Sequence, residues 1–243
     1  MYILPILFFL CLLSFIAYKI HRNYKDNKHI EQVTPLNRGT WSERRLILKL
    51  LEAGVNPRAI FHDLYIQKPN GEYTQIDVAV ATKAGLIVFE VKDYSGWIFG
   101  NEKQKYWTQI LAFGKEKHRF YNPIMQNAGH INYLRECLTN NPDIPIFSAI
   151  VFFGNCELKK VSFTSDYTFV LYDNSIRTFI DFVMQCREAT FGDKHQIMNV
   201  LTTGVNNGLD PNIVYSQRIS ASRYSQNKPP SIFYHYVWRY WKF

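Results

Sequence analysis

The sequence predicts a single α/β domain behind an apolar N-terminal segment. Strand-like and helix-like runs alternate over most of the 243 residues, as is typical of α/β proteins. Hydrophobic residues make up 47% of the chain and aromatic residues 16%, which is enough for a packed core. We therefore expect four segments: a transmembrane anchor (1–20), a juxtamembrane linker (21–38), a domain (39–205) and a C-terminal tail (206–243).

The anchor is predicted from residues 2–18, which carry no charge. That length is near the lower limit of about 17–25 residues for a membrane-spanning helix. A cleaved signal peptide is the alternative, but it has positive charge before its apolar run. Here the positive charges follow the run, at Lys19, Arg22, Lys25 and Lys28. Because positive charge is retained on the cytoplasmic side, we expect a single-pass membrane protein whose domain faces the cytoplasm.

Local signals then give the order of elements in the domain. Thr40, with Glu43 three residues later, begins a helix that ends before Gly54. Asn122 and Pro123 begin another helix, as N-cap and first helical residue. Strands are predicted at 59–67, 74–82, 86–92, 144–153 and 167–172, a hairpin at 96–110, and helices to about 138, near 175–187 and near 192–204.

Charge content indicates the class of binding partner, and cysteine content bears on zinc sites and disulfides. Lys and Arg number 28 against 20 Asp and Glu, a net charge of +8, which suits nucleic acid or an anionic membrane surface. The four cysteines show no C-x-x-C spacing, so we expect neither a zinc cluster nor a disulfide framework. Reduced thiols in a reducing compartment are the simpler interpretation.

Three ionic residues stand out in two otherwise apolar strands: Asp77 in the first, and Glu90 and Lys92 in the second. Strict alternation would place Ile76, Val78 and Val80 on the face opposite Asp77. An even-numbered loop between the strands would set Asp77 opposite Glu90, with Cβ atoms about 4.5–5.5 Å apart. An odd-numbered loop would turn Glu90 away.

Two opposed carboxylates on half-buried strands repel each other and are costly to desolvate. A divalent cation reverses that cost, and oxygen ligands of this kind suit Mg²⁺ or Mn²⁺. Lys92 could then stabilise charge on a phosphate or orient the attacking water. The alternative is an exposed hairpin face with an ordinary Glu-Lys pair, and spacing alone does not choose between the two.

Five motifs follow one another in order along the chain: Gln75-Ile76-Asp77, residues 85–92 (GLIVFEVK), 94–100 (YSGWIFG), 105–109 (KYWTQ) and 121–130 (YNPIMQNAGH). Together they closely resemble the nuclease-related domain (NERD) family, over roughly residues 37–155. The resemblance implies kinship with the PD-(D/E)XK nucleases and hence a restriction-endonuclease-like core, a central mixed β-sheet flanked by helices. This chain has Ile76-Asp77 where that superfamily's pattern has Pro-Asp.

The resemblance also implies roles for individual residues. Asp77 and Glu90 correspond to the family's metal-binding acids and Lys92 to its lysine. To these our own hypothesis adds the Val91 carbonyl as a third metal ligand. Glu43 corresponds to an acid on the first helix, although Thr40-x-x-Glu43 is equally a capping box. Gln126 corresponds to a glutamine on the helix after the sheet; His130, four residues later, either contacts it or belongs to a polar surface stripe.

Basic and aromatic residues cluster between positions 103 and 121. They suit phosphate contact and base stacking, or they form a hairpin with core aromatics and solvated lysines. The closing residues 231–243 (SIFYHYVWRYWKF) suit either a membrane interface or an edge strand. The basic members are Lys103, Lys105, Lys115, Lys117 and Arg119, and the aromatic ones are Tyr106, Trp107, Phe120 and Tyr121.

The sequence therefore predicts a membrane-anchored, Mg²⁺- or Mn²⁺-dependent nuclease acting on DNA or RNA. Asp77 and Glu90 would hold the metal with Val91, and Lys92 would assist the reaction. The alternative is a catalytically inactive nuclease-like module that binds nucleic acid or a protein partner at the membrane. Fold resemblance does not distinguish these two, because activity depends on the site rather than on the fold.

Overall fold

The structure is a computed structural model that describes residues 3–225, with side chains from Leu7 to Ile219. It contains six helices and nine strands within that range. The helices are α1 (Ile3–Ile30), α2 (Trp41–Glu52), α3 (Pro123–Cys137), α4 (Ile176–Gln185), α5 (Lys194–Asn207) and α6 (Pro211–Ser225). The strands are β1 (Ile60–Gln67), β2 (Tyr73–Thr82), β3 (Gly85–Asp93), β4 (Gly96–Asn101), β5 (Tyr106–Leu111), β6 (Glu116–Tyr121), β7 (Ile146–Phe153), β8 (Cys156–Ser162) and β9 (Thr168–Tyr172).

The first sheet has five strands in the order β1-β2-β3-β7-β9. Strands β1, β2 and β3 are antiparallel neighbours, whereas β7 and β9 join the sheet in parallel. Parallel strands need a crossover connection, and the one between β3 and β7 contains β4, β5, β6 and then α3. The sheet is therefore mixed, as predicted.

The second sheet has four strands in the order β6-β5-β4-β8. Two strands of the first sheet continue directly into it, because β3 leads into β4 and β7 into β8, and both pairs are parallel. Gly154 lies at the junction with φ +80°, and a Cβ there would overlap the carbonyl oxygen of Tyr94. The prediction of one central sheet was therefore incomplete: two mixed sheets share a pair of through-running strands.

Helices cover both faces of the first sheet. Leu46 and Leu50 of α2 and Phe179 of α4 pack on one face, and Leu134 of α3 and Leu201 of α5 pack on the other. This burial explains why β7 is a continuous apolar run with both faces inside the protein. In the second sheet, the inner face packs around Trp107, Ile98, Phe120, Ile124, Ile150 and Phe152.

Strand β2 does not alternate strictly, and the predicted face for Ile76 was wrong. Ile76 packs in the cluster of α3 and α5, whereas Val78 packs in the cluster of α2 and α4. The adjacent strand β1 is irregular at Asp63, which has φ +57°, a left-handed conformation in which Asp is enriched. The β1–β2 pairing omits Asp63 and Asp77. Both strands therefore change faces here, beside the predicted site.

The N-terminal segment forms α1, which continues as a helix to Ile30, so the predicted linker is helical over its first ten residues. Leu7 to Ile16 are largely exposed, whereas Ile30 is buried against the domain. Over the residues with described side chains, we find no helix with the length and apolar character needed to cross a bilayer. The predicted transmembrane helix is thus not supported; the second half of α1 carries Lys19, Arg22, Lys25, Asp26 and Lys28.

Most element predictions are confirmed, and three are corrected. The helix capped by Thr40, the strands around Asp77 and Glu90, and the helix capped by Asn122 are all present. Strands β6 and β8 were not predicted. The tail was expected to be irregular from residue 206, yet α6 occupies its first part, and residues 226–243 lie outside the described chain.

Candidate active site

The turn between β2 and β3 decides whether the predicted acids meet. It has two residues, Lys83 and Ala84, and the pairing runs from Thr82–Gly85 to Val78–Phe89. That is the even-numbered register, and one more step along it sets Asp77 opposite Glu90. At this point the strands separate, and the Asp77 carboxylate accepts a hydrogen bond from the backbone N–H of Val91 at 2.7 Å. The two acids therefore lie beside each other at the end of the β2–β3 pair.

Glu90 and Lys92 form a buried ion pair. Lys92 Nζ donates to Glu90 Oε1 at 2.6 Å, and the side chains are 16% and 2% exposed, respectively. The same ammonium donates to Gln126 Oε1 on α3 at 3.1 Å. Gln126 is held at the start of α3 by Asn122, a fully buried N-cap that accepts from the Ile124 N–H at 2.9 Å. The structure thus brings Gln126 to the Glu90–Lys92 pair.

His130 lies on the other side of Glu90. Its Nε2 is 3.3 Å from Glu90 Oε2, and its Nδ1 is 2.6 Å from the hydroxyl of Thr74 on β2. Among the described residues, Glu90 Oε2 and His130 Nε2 are buried without a hydrogen-bond partner. His130 is therefore part of the site rather than of a surface stripe, and Glu90 Oε2 lies next to its ring without a well-aligned hydrogen bond to it.

Glu43 is buried at the start of α2, with 6% of its surface exposed. Its Oε1 accepts from the Thr40 hydroxyl at 2.8 Å, and its Oε2 lies 3.0 Å from Nε2 of His62 on β1. The carboxylate is close enough to Asp77 to raise the pKa of Asp77. Glu43 thus bonds to the side chain of the capping residue Thr40 and also lies near Asp77. His62 was missed by sequence reasoning; its only signal was a polar residue inside an apolar strand.

The three carboxylates lie in different electrostatic environments. Burial, and then the charges of Glu90 and Glu43, raise the pKa of Asp77 well above its usual 3.8. Burial also acts against the charge on Glu90, but Lys92 and His130 outweigh it and hold the pKa of Glu90 below its usual 4.5. Burial lowers the pKa of Lys92, but Glu90 outweighs it, so that pKa lies above its usual 10.5. Of the three carboxylates, Asp77 is therefore the one whose charged form its surroundings stabilise least.

The donor set fits a divalent cation that keeps part of its water shell. No group of three or more His, Cys, Asp or Glu side chains within the described chain is arranged to hold a metal ion. Mg²⁺, however, is commonly bound through one or two carboxylates, waters and substrate phosphate. Asp77 and Glu90 supply such a pair of carboxylates. The Val91 N–H is bound to Asp77, and the role of the Val91 carbonyl stays a prediction.

The basic and aromatic side chains of residues 103–121 lie on both faces of the second sheet. Trp107 and Phe120 are buried in its core, which confirms the structural interpretation for these rings. On the opposite face, cross-strand pairing places Tyr106 beside Tyr121, with ring centroids 6.3 Å apart. Five basic side chains of the stretch are exposed: Lys103, Lys105, Lys115, Lys117 and Arg119. The surface is basic and accessible, as nucleic-acid binding requires.

Comparisons with known proteins agree with the motifs. A family model described as the nuclease-related domain matches residues 38–153. An uncharacterized protein of Bacillus anthracis is 32% identical over 171 residues, which cover 70% of this chain and 76% of that protein. No solved structure matches the chain significantly. The span matched by the family model contains Glu43, Asp77, Glu90, Lys92 and Gln126.

Proposed function

Because this chain belongs to the nuclease-related domain family, we propose that it is a divalent-metal-dependent nuclease that hydrolyses phosphodiester bonds of DNA or RNA. The observation that carries the proposal is the cluster formed by buried Glu90 with half-buried Asp77 and Lys92. Two carboxylates and an ammonium at the end of one strand pair match the chemistry of metal-assisted phosphate hydrolysis. The fold alone would not carry it.

The proposal assigns a role to each residue of the site. Asp77 and Glu90 would hold Mg²⁺ or Mn²⁺, which when bound activates water and polarises a phosphoryl oxygen. The raised pKa of Lys92 keeps its ammonium charged, so Lys92 acts by stabilising negative charge on the phosphate rather than as a base. Gln126 accepts a hydrogen bond from Lys92 and orients it. Glu43 adds a carboxylate next to Asp77.

The proposal is tested with the full-length chain and labelled DNA and RNA oligonucleotides in Mg²⁺, Mn²⁺ or EDTA. We expect cleavage that requires the metal and that Asp77→Asn abolishes, because the amide can still accept from Val91 but carries no charge. Asp166→Asn, at an exposed position, is the matched control and should cleave like wild type. Equal cleavage by wild type and Asp77→Asn would refute the proposal. Binding without cleavage would instead favour the inactive nucleic-acid-binding module.

Localisation at a membrane, with the domain facing the cytoplasm, stays a prediction from the apolar residues 2–18 and the positive charges after them. Membrane fractionation of cells that express the full chain tests it. Recovery of the protein in the membrane pellet after an alkaline wash is the expected result. Recovery in the supernatant before that wash would contradict the prediction.

A further inference from the structure

A second buried acid–histidine pair lies behind the proposed site. His62 is 2% exposed and Glu43 is 6% exposed, and their Nε2 and Oε2 atoms are 3.0 Å apart. The other ring nitrogen of His62 is 2.8 Å from the hydroxyl of Thr34, which is 3% exposed. Both ring nitrogens are therefore engaged inside the protein, and His62 has one defined orientation.

Capping of α2 does not explain this arrangement. Thr40 alone caps the helix, since its hydroxyl accepts from the Glu43 N–H at 3.3 Å. Glu43 could then turn outward, as most carboxylates do, because a buried charge costs free energy unless it is paired. Instead Thr40 and His62 hold it inside, one at each carboxylate oxygen, and His62 pairs with Val78, the chain neighbour of Asp77. A buried carboxylate held by two partners beside the strand position of Asp77 indicates a functional requirement.

We propose that His62 is a positioning residue that holds the Glu43 carboxylate toward Asp77 in the nuclease site. The inference rests on the proposed function, since it gives the pair a purpose only if Glu43 acts there. His62 must donate from Nε2 to reach a carboxylate oxygen, so a neutral ring accepts at Nδ1 from the Thr34 hydroxyl. Thr34 thereby selects the ring tautomer that Glu43 needs.

Gly39 makes the pair possible. The backbone passes directly over the pair at Gly39, where φ is +68°. A Cβ on Gly39 would overlap both Glu43 Oε2 and His62 Nε2. Gly54, just after α2, also has a left-handed φ of +88°, but its Cβ would have no atom within 4 Å. Alanine at either position meets the same kind of backbone strain. Only at Gly39 would the added methyl disturb the pair.

The first test compares His62→Gln with His62→Leu in the full-length chain. The Gln amide can still donate to Glu43, whereas Leu cannot. We expect His62→Leu to lower kcat for oligonucleotide cleavage by about 10- to 100-fold, the usual effect of losing a residue that orients an active-site group. KM should change little, and His62→Gln should restore most of kcat. Wild-type kcat in a folded His62→Leu protein would overturn the inference.

A double-variant cycle shows whether His62 acts through Glu43. With Glu43→Ala already present, His62→Leu should lower kcat no further, because residues of one network are not additive. Independent, multiplying losses would overturn the inference. Should His62→Leu fail to fold, Gly39→Ala and Gly54→Ala decide the matter: the first should lose about 10-fold in kcat and the second should not. Equal kcat values would overturn it.

Calorimetric Mn²⁺ binding separates this inference from the proposed function. If wild type neither cleaves nor binds Mn²⁺, the proposed function fails, and the inference fails with it. If wild type cleaves or binds and His62→Leu matches it in both, only the positioning role of His62 fails. Weaker Mn²⁺ binding by His62→Leu and by Gly39→Ala, with near-normal binding by His62→Gln and Gly54→Ala, supports the inference even without a cleavage assay.

Discussion

Replacing Lys92 by Met tests how strongly the site depends on charge balance. The Lys92–Glu90 pair is 2.6 Å long with side chains 16% and 2% exposed, and the Lys159–Glu157 pair is also 2.6 Å long but 39% and 55% exposed. Breaking a buried pair costs about 3–5 kcal/mol, because a charge is left buried and uncompensated. His130 remains next to Glu90, so we expect about 3 kcal/mol for Lys92→Met. Lys159→Met should cost less than about 1 kcal/mol.

The assay is urea unfolding of the full chain in EDTA and then in Mg²⁺. In EDTA the loss of about 3 kcal/mol corresponds to a decrease of roughly a hundredfold in the folding equilibrium constant. In Mg²⁺ part of the loss should return, because a bound cation stabilises the folded state and replaces the missing positive charge beside Glu90. Equal losses for Lys92→Met and Lys159→Met would refute the dependence on burial. No recovery in Mg²⁺ would refute the assignment of these carboxylates to a cation site.

Three further predictions follow from single contacts. Burial raises the pKa of Glu43, but its hydrogen bonds outweigh burial and hold the pKa below the usual 4.5. Its charged form therefore stabilises the fold above that pH, and the contribution is lost as pH falls through the lowered pKa; Glu43→Gln should flatten this part of a stability–pH series. Gly100→Ala should lower the free energy of unfolding in urea by about 1–3 kcal/mol, because its Cβ would overlap the indole of buried Trp107. Replacing Lys117 and Arg119 with Ser should weaken oligonucleotide binding in fluorescence titrations and lower the salt slope by about one for each phosphate that is no longer neutralised.

Each of these predictions has a control. For the first, a free energy of unfolding that falls with pH in Glu43→Gln as it does in wild type would contradict the prediction. For the second, Gly129→Ala introduces a Cβ with no atom within 4 Å and should not destabilise the protein; equal effects at Gly100 and Gly129 would contradict it. For the third, Lys83→Ser removes an exposed charge from the turn of the first sheet and should leave binding nearly unchanged. An equal loss of affinity there would mean that only total charge matters.

The sequence was informative where the signal is local. Thr40 as a cap, the two-residue turn at Lys83 and Ala84, and Asn122 before Pro123 each fix a boundary through the conformation of a few neighbouring residues. The register that brings Asp77 to Glu90 depends on the length of the same loop, whose parity the sequence left open and the structure shows to be even. The family resemblance then supplied Glu43 and Gln126, which local patterns could not have linked to the site.

The sequence did not predict the features that depend on tertiary pairing. Strands β6 and β8 are the edges of the second sheet and are mostly exposed, so they lack the apolar alternation that marks a half-buried strand. The change of faces at Asp77 depends on the left-handed conformation of Asp63, which leaves no pattern in the sequence. The contact of His62 with Glu43 spans 19 residues and exists only once α2 has packed on β1.

The two strands that pass through both sheets also bear on how the protein folds and opens. The β3–β7 and β4–β8 pairs cannot form until the chain after α3 has returned to dock along β3 and β4, so the two sheets are completed in one late event with a high loop-closure cost. We expect amide protons of β3, β4, β7 and β8 to exchange with solvent in a single cooperative step. Strands β6 and β9, which lie at sheet edges and do not continue into the other sheet, should exchange earlier. The Lys92–Glu90 ion pair and the packing of Trp107 would then be lost together on denaturation.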